Sequence, residues 1–259
     1  MNPDYTSSAS ARAPSQSDPD ANRRYYDAFA KNYEARRGAR SRGGYHDLID
    51  ELESDFVRRF GTGKDVLEVG CGTGLVLSRI ASFARCARGV DLSPRMLDYA
   101  RERQLDVQLG SATDLPFEDG TFDVACSFKV LAHIEQIELA LSEMARVVRP
   151  GGYVLAEFYN PWSLRGLIKR FGPALRIAEG VDEADVYTRF DSPWQAEKLL
   201  PASCRRVAER GVRITVPSAR LLDLPLLDKV FWFAERRLCD SPLRRFGGFW
   251  IGAFQKQAR

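Results

Sequence analysis

The segment Val66-Leu67-Glu68-Val69-Gly70-Cys71-Gly72-Thr73-Gly74 carries the residue types best suited to hold a polar ligand. It reads as an apolar strand running into a loop with glycine at alternate positions, and helix-like sequence follows from Leu75 to Phe83. Glycines at a strand tip let the backbone turn tightly and approach a ligand where a Cβ would clash. A helix that starts there turns free N–H groups and the positive end of its dipole toward that ligand. Further on, Ala87-Arg88-Gly89-Val90-Asp91-Leu92-Ser93-Pro94 is a short strand ending in a carboxylate. Ser93 follows as a helix N-cap with Pro94 at the first helical position. With the two strands as parallel neighbours, Asp91 lies beside the glycine loop, where it can accept hydrogen bonds from both hydroxyls of a ribose.

These residues resemble the class I S-adenosylmethionine (SAM)-dependent methyltransferases. In that family E/D-x-G-x-G-x-G is the cofactor loop, here Glu68, Gly70, Gly72 and Gly74, and Asp91 matches the ribose-binding acidic residue. Gly110-Ser111-Ala112-Thr113-Asp114-Leu115-Pro116-Phe117 is similar to the adenine-contacting loop, with Ser111 where the family usually has Asp. Phe122-Asp123-Val124-Ala125-Cys126-Ser127 resembles its fourth strand, and Arg146-Val147-Val148-Arg149-Pro150-Gly151-Gly152 the turn before its fifth. The resemblance covers residues 25 to 160. It implies SAM as cofactor, with Cys71, Leu92, Met96, Ala112, Thr113 and Phe128 completing the binding set, and Tyr25 and Tyr33 reaching it from a preceding helix.

SAM carries its methyl on a sulfonium, so the protein must place an acceptor lone pair in line and exclude water. A hydroxyl acceptor also needs a base. His133, in Val130-Leu131-Ala132-His133-Ile134 after the fourth strand, is the candidate; packing or hydrogen bonding is its other reading. Tyr33 and Tyr159 are further catalytic candidates. Tyr25, Tyr26 and Asn160 join them as groups that orient an acceptor by hydrogen bonds. His46 reads as a surface residue. Asn160-Pro161-Trp162 lies at the end of the fifth strand, so it does not match the N/D-P-P-Y/F motif of amino methyltransferases, which belongs to the fourth. No metal-ligand cluster is visible.

These groups need a frame. Strands near 65–69, 87–91, 105–109, 122–127 and 152–158 alternate with helices near 75–83, 94–103 and 136–148. This predicts an α/β fold, a doubly wound, mostly parallel seven-stranded Rossmann-like sheet. Right-handed crossovers gather the strand tips along one edge, where ligands bind. The family adds a helix, read at 194–200, and two final antiparallel strands, near 206–215 and 248–255. Residues 1–19 read as a disordered tail, 20–62 as N-terminal lid helices, 63–160 as the SAM-binding core, and 161–259 as the rest of the sheet with helical cap insertions. The helix at 22–37, with Tyr25, Tyr26, Phe29 and Tyr33, reads as a lid over the cofactor or as an amphipathic helix on the domain edge. A second helix runs from His46 to Phe60. The insertions at 161–178 and 219–238 are amphipathic with basic polar faces. For 219–238 three readings stand: an apolar cap over the acceptor, a homodimer face, or a membrane-surface helix.

The 259 residues carry a formal net charge of +3 with acids and bases interspersed, which gives no argument for nucleic acid as partner. The five cysteines show no C-x-x-C pair, no secretory signal or long apolar run is read in the sequence, and a cytoplasmic, reduced enzyme is expected. The expected partner is a small, lipophilic or bulky acceptor. Two alternatives remain. A NAD-dependent oxidoreductase prefers G-x-G-x-x-G, whereas Gly74 here is followed directly by Leu75. A non-catalytic methyltransferase-like subunit has no need of an intact glycine loop with Asp91.

Overall fold

The computed structural model describes residues 19–38, 44–163, 187–216, 222 and 225–258. The expected tail at 1–18, most of the 161–178 insertion and most of 219–224 lie outside the described residues. Two helices come first, α1 (Pro19–Gly38) and α2 (Tyr45–Gly61). The core follows as β1 (Asp65–Val69), α3 (Leu75–Ala81), β2 (Cys86–Asp91), α4 (Pro94–Glu102), β3 (Asp106–Leu109), β4 (Phe122–Ser127), a 3-10 turn (Leu131–His133), α5 (Ile137–Val147) and β5 (Val148–Tyr159). The chain closes with α6 (Pro193–Leu199), β6 (Cys204–Val212), α7 (Pro225–Leu238) and β7 (Phe249–Lys256). The seven strands lie in the order β3-β2-β1-β4-β5-β7-β6. Of these, β7 alone runs against its neighbours β5 and β6.

Strand alternation divides the core into two layers. Leu67 and Val69 of β1, Ala125 of β4 and Val154, Ala156 and Phe158 of β5 pack with Ala140, Leu141 and Met144 of α5. The intervening Val66, Val124, Cys126 and Leu155 pack with Leu48, Leu52 and Phe56 of α2. Period two then sends Glu68 of β1 and Glu157 of β5 to the α2 side, and both are buried.

Several element ends differ from the sequence expectation. The helix after the glycine loop stops at Ala81, and β6 sits at 204–212, so Arg213 begins a left-handed turn at φ 62°. The Arg149-Pro150-Gly151-Gly152 segment, expected as a turn, lies inside β5. Gly151 at φ 82° and a register irregularity between Phe122 and Val124 absorb the bend there. Pro19, placed in the tail, already belongs to α1.

The fully buried Trp250 locks the antiparallel end of the sheet. Its ring packs against Phe158 and Phe254, and its Nε1 donates to Glu209 at 3.1 Å. Trp250→Ala should lower unfolding stability by about 3–5 kcal/mol, read as a drop in the urea midpoint; an unchanged midpoint contradicts this packing role.

Candidate active site

The glycine loop and the β2 tip are held together by backbone groups. Gly70 N–H donates to Val90 O at 2.7 Å, and Gly72 N–H donates to Asp91 Oδ2 at 2.8 Å. The other Asp91 oxygen accepts from Ser93 N–H at 2.9 Å. Burial pushes the Asp91 carboxyl above its usual range, and these N–H groups oppose that. Gly70, Gly72 and Gly74 all have positive φ, 76°, 52° and 80°, yet their surroundings differ. A Cβ on Gly70 would meet Val130 at 2.3 Å, and one on Gly74 would meet Leu105 at 2.4 Å. At Gly72 nothing of the described chain lies within 4 Å. The outer glycines therefore serve packing, and Gly72 leaves an open cradle. Beside it Glu68 is buried with Oε2 unpartnered. An open backbone cradle flanked by the half-buried Asp91 and the buried Glu68 suits a nucleoside bearing a cationic group, so these residues fit SAM.

The other expected cofactor residues line the same edge. Gly110 N–H donates to Asp91 O at 3.0 Å and brings the Ser111 loop to the β2 tip. The Ser111 hydroxyl is engaged locally, 2.7 Å from Thr113 Oγ1 and accepting from Thr113 N–H at 3.2 Å. Ala112 and Thr113 are half-buried beside it, as is Leu92 beyond Asp91. Cys71, Met96 and Phe128 are buried. Burial pushes the Cys71 thiol up, which keeps it protonated. The Tyr25 side chain lies outside what is described.

His133 and Tyr159 come together. The His133 Nδ1 lies 2.9 Å from Tyr187 O. A carbonyl only accepts, so Nδ1 carries the proton and Nε2 keeps its lone pair. That Nε2 lies 3.4 Å from the Tyr159 hydroxyl. Burial lowers the His133 pKa below its ordinary 6.5, so the ring is neutral near pH 7. Burial raises that of Tyr159, with Tyr26 and Tyr45 near enough to add to the effect. Tyr33 does not join this group; its hydroxyl accepts from Arg37. Asn160, expected at the mouth, is spent on the fold: its amide donates to Arg245 O and Gly247 O at 2.7 and 3.0 Å, and its oxygen accepts from Trp162 N–H at 3.0 Å. His46 is exposed.

The sequence reading missed a charged cluster on the α2 side of this edge. Lys129 follows β4 with φ 60°, a left-handed conformation unfavourable for a side-chain-bearing residue. Its Nζ donates to Glu53 Oε2 at 2.7 Å and Asp50 Oδ1 at 3.1 Å, and its N–H donates to Glu157 Oε1 at 3.0 Å. Arg37 from α1 donates to both Asp50 oxygens at 2.6 and 2.7 Å. Burial opposes charge on Asp50, but Lys129 and Arg37 outweigh it and hold this carboxyl below its usual range. For Glu68 and Glu157 burial wins, and both are pushed well above the usual range. A signal was present in the sequence: Asp50 and Glu53 fall in phase with the apolar residues Ile49, Leu52, Phe56 and Val57.

Removing Lys129 from this cluster takes the cation from Glu53 and leaves Asp50 with Arg37 alone. Lys129→Met should cost about 3–5 kcal/mol of stability, and adding Glu53→Gln should recover part of it. Chemical denaturation of both variants checks this; a double variant no more stable than Lys129→Met contradicts the pairing.

Comparison with known proteins bears on this geometry. A family model described as a methyltransferase domain matches residues 67–156, which hold the glycine loop, Asp91 and His133. A demethylmenaquinone methyltransferase of Symbiobacterium thermophilum is 35% identical over 155 residues, covering 54% of this chain and 60% of that protein. A fatty-acid O-methyltransferase of Mycolicibacterium smegmatis is 40% identical over 191 residues, covering 71% of this chain and 60% of that protein. The chain thus spans 60% of the length of each of these two curated relatives. Among solved structures, a SAM-dependent methyltransferase of Thermotoga maritima, described as a possible histamine N-methyltransferase, superposes with a TM-score of 0.66 at 21% identity. The match covers 90% of this chain and 99% of that one, and at this identity it speaks for the fold. The glycine cradle and Asp91, at neighbouring strand tips of the seven-stranded sheet, both lie in the matched segment, so residues 67–156 belong to the methyltransferase-domain family.

Proposed function

We propose that this protein transfers a methyl group from SAM to a hydroxyl of a small, lipophilic or bulky acceptor. The observation that carries the cofactor part is the Gly72 cradle, open where the neighbouring glycines are filled by protein. When bound, SAM supplies a methyl on a sulfonium that needs no further activation. Asp91 holds the ribose hydroxyls. The Ser111–Thr113 loop and Leu92 flank the base, with backbone groups taking the larger share because the Ser111 hydroxyl is already engaged. Cys71, Met96 and Phe128 wall the site, and Glu68 faces the cofactor's cationic end from below. Tyr25 and Tyr33, both in the sequence of α1, would complete the cofactor set.

For the acceptor, His133 is the base. The Tyr187 carbonyl fixes its tautomer, leaving the Nε2 lone pair on the Tyr159 side. Tyr159, kept protonated by burial, donates to the acceptor oxygen or to His133 and so orients both. In the transfer the acceptor oxygen would take the methyl as the sulfonium C–S bond breaks and S-adenosylhomocysteine leaves, and the hydroxyl proton would pass to His133 Nε2. An apolar acceptor body is supported by α7, whose Phe231 and Trp232 join the same apolar cluster as Phe128 and Tyr45. The relatives that methylate demethylmenaquinone and a fatty acid are consistent with such an acceptor. The exposed Leu227, Val230 and Phe233 of α7 supply a face for a second copy. Five free thiols accord with a reducing, cytoplasmic setting. No described helix is long and apolar enough to cross a membrane.

Gly72→Val should remain folded by circular dichroism but lose S-adenosylhomocysteine binding, because its branched side chain fills the cradle. Asp91→Ala should weaken that binding by about 1–3 kcal/mol. Calorimetry reads both, and wild-type affinity in either variant refutes its assigned contact.

His133→Gln should lower kcat by about 10²–10⁴ with cofactor affinity retained. Because burial lowers the His133 pKa, the acid limb of wild-type kcat/KM should fall below pH 6.5: the base is lost as pH drops through the lowered value. Full turnover in His133→Gln, or an acid limb above 6.5, argues against His133 as base.

A further inference from the structure

The N-terminal helix meets the ribose corner through one buried serine. Asp27 Oδ1 on α1 accepts from the Ser93 hydroxyl and, at 3.3 Å, from Arg95 N–H. Ser93 is fully buried. Its own N–H donates to Asp91 Oδ1 at 2.9 Å, and its hydroxyl oxygen accepts from Met96 N–H at 3.2 Å as the cap of α4. A hydroxyl has one proton to give, and here it goes to Asp27. Ser93 is thus shared between the carboxylate at the β2 tip and a carboxylate on the helix above it. Further along the same helix, Glu34 pairs with Arg103 and Arg37 with Asp50.

We propose that Asp27 is a positioning residue of the cofactor site, a latch that couples closure of α1 to occupancy of Asp91 through Ser93. The proposal rests on the methyltransferase reading above. Burial already pushes the Asp91 carboxyl up, and the nearby Asp27 charge adds to that. Two carboxylates bound to one serine repel each other, since the other donors to them, Gly72 N–H on Asp91 and Arg95 N–H on Asp27, are neutral and leave both charges in place. Ribose hydroxyls that donate to Asp91 offset its charge and relieve the repulsion. The ligand therefore binds the latched form more tightly than the open one, which is the differential affinity that a coupled closure requires. By linkage, loss of the latch weakens the ligand by the factor through which the ligand strengthens the latch.

The test uses the full chain as wild type, Asp27→Ala, Asp27→Asn, Asp91→Asn and the Asp27→Ala/Asp91→Asn pair. S-adenosylhomocysteine affinity is measured by calorimetry, and hydrogen exchange in residues 19–38 with and without that ligand. Asp27→Ala should weaken binding about five- to thirtyfold and abolish the ligand-induced slowing of exchange. Asp27→Asn keeps a carbonyl acceptor for Ser93 and Arg95, and should stay within about threefold of wild type. In the Asp91→Asn background the Asp27→Ala change should cost less than about threefold, since the coupling is gone. Wild-type affinity and slowing in Asp27→Ala overturn the latch, and so does an equal loss in both backgrounds. A wild-type protein that binds no S-adenosylhomocysteine overturns the methyltransferase reading instead.

Discussion

The site hangs on one half-buried carboxylate. Asp91 ends β2, and its two oxygens take the Gly72 N–H from the β1 loop and the Ser93 N–H from the start of α4. Each bond fixes a different element, so the cradle, the second strand and the fourth helix share a single anchor. Both bonds are charge-assisted and lie out of water, where they are stronger than neutral ones. The parallel sheet makes the arrangement possible, because right-handed crossovers bring every parallel strand tip to the same edge. The glycine loop then needs positive φ at three positions, and only Gly72 faces open space.

Beside this anchor the protein buries more charge than a stable core requires. Asp50, Glu53, Glu68 and Glu157 surround Lys129 and Arg37 on the α2 face. Such groups are expensive to dehydrate, and the left-handed backbone at Lys129 adds strain. The arrangement draws α1, α2, β4 and β5 together. Arg37 ties α1 to α2 at its C-terminal end, and Asp27 ties it to α4 near its middle. Polar contacts of this kind suit an element that opens and closes.

Local rules made half of this site readable. A run such as Glu68-Val69-Gly70-Cys71-Gly72-Thr73-Gly74 announces itself because glycine spacing is a backbone constraint, and Asp91 followed by Ser93-Pro94 is a strand end joined to a helix cap. The alternating strands and helices led to the seven-stranded sheet, which the structure has. Long-range placement was not readable. Tyr187, which orients His133, lies 54 residues away in sequence. Asp50 and Glu53 look like the solvated face of an acidic helix until their phase with Leu52 and Phe56 is noticed. Asn160 looked like a mouth residue because nothing local shows that Arg245 and Gly247 consume its amide. The Pro150-Gly151-Gly152 bend is enclosed within β5 because Val148 before it and Tyr153 after it both pair with β4, a long-range placement that local turn preference does not show.

The account stands on a cofactor pocket built for an adenosyl sulfonium rather than a dinucleotide. The most direct measurement is calorimetric titration of the wild-type chain with S-adenosylhomocysteine and, separately, with NAD. The account predicts saturable binding of S-adenosylhomocysteine at one site and no heat from NAD beyond dilution. Saturable binding of NAD with none of S-adenosylhomocysteine would contradict it.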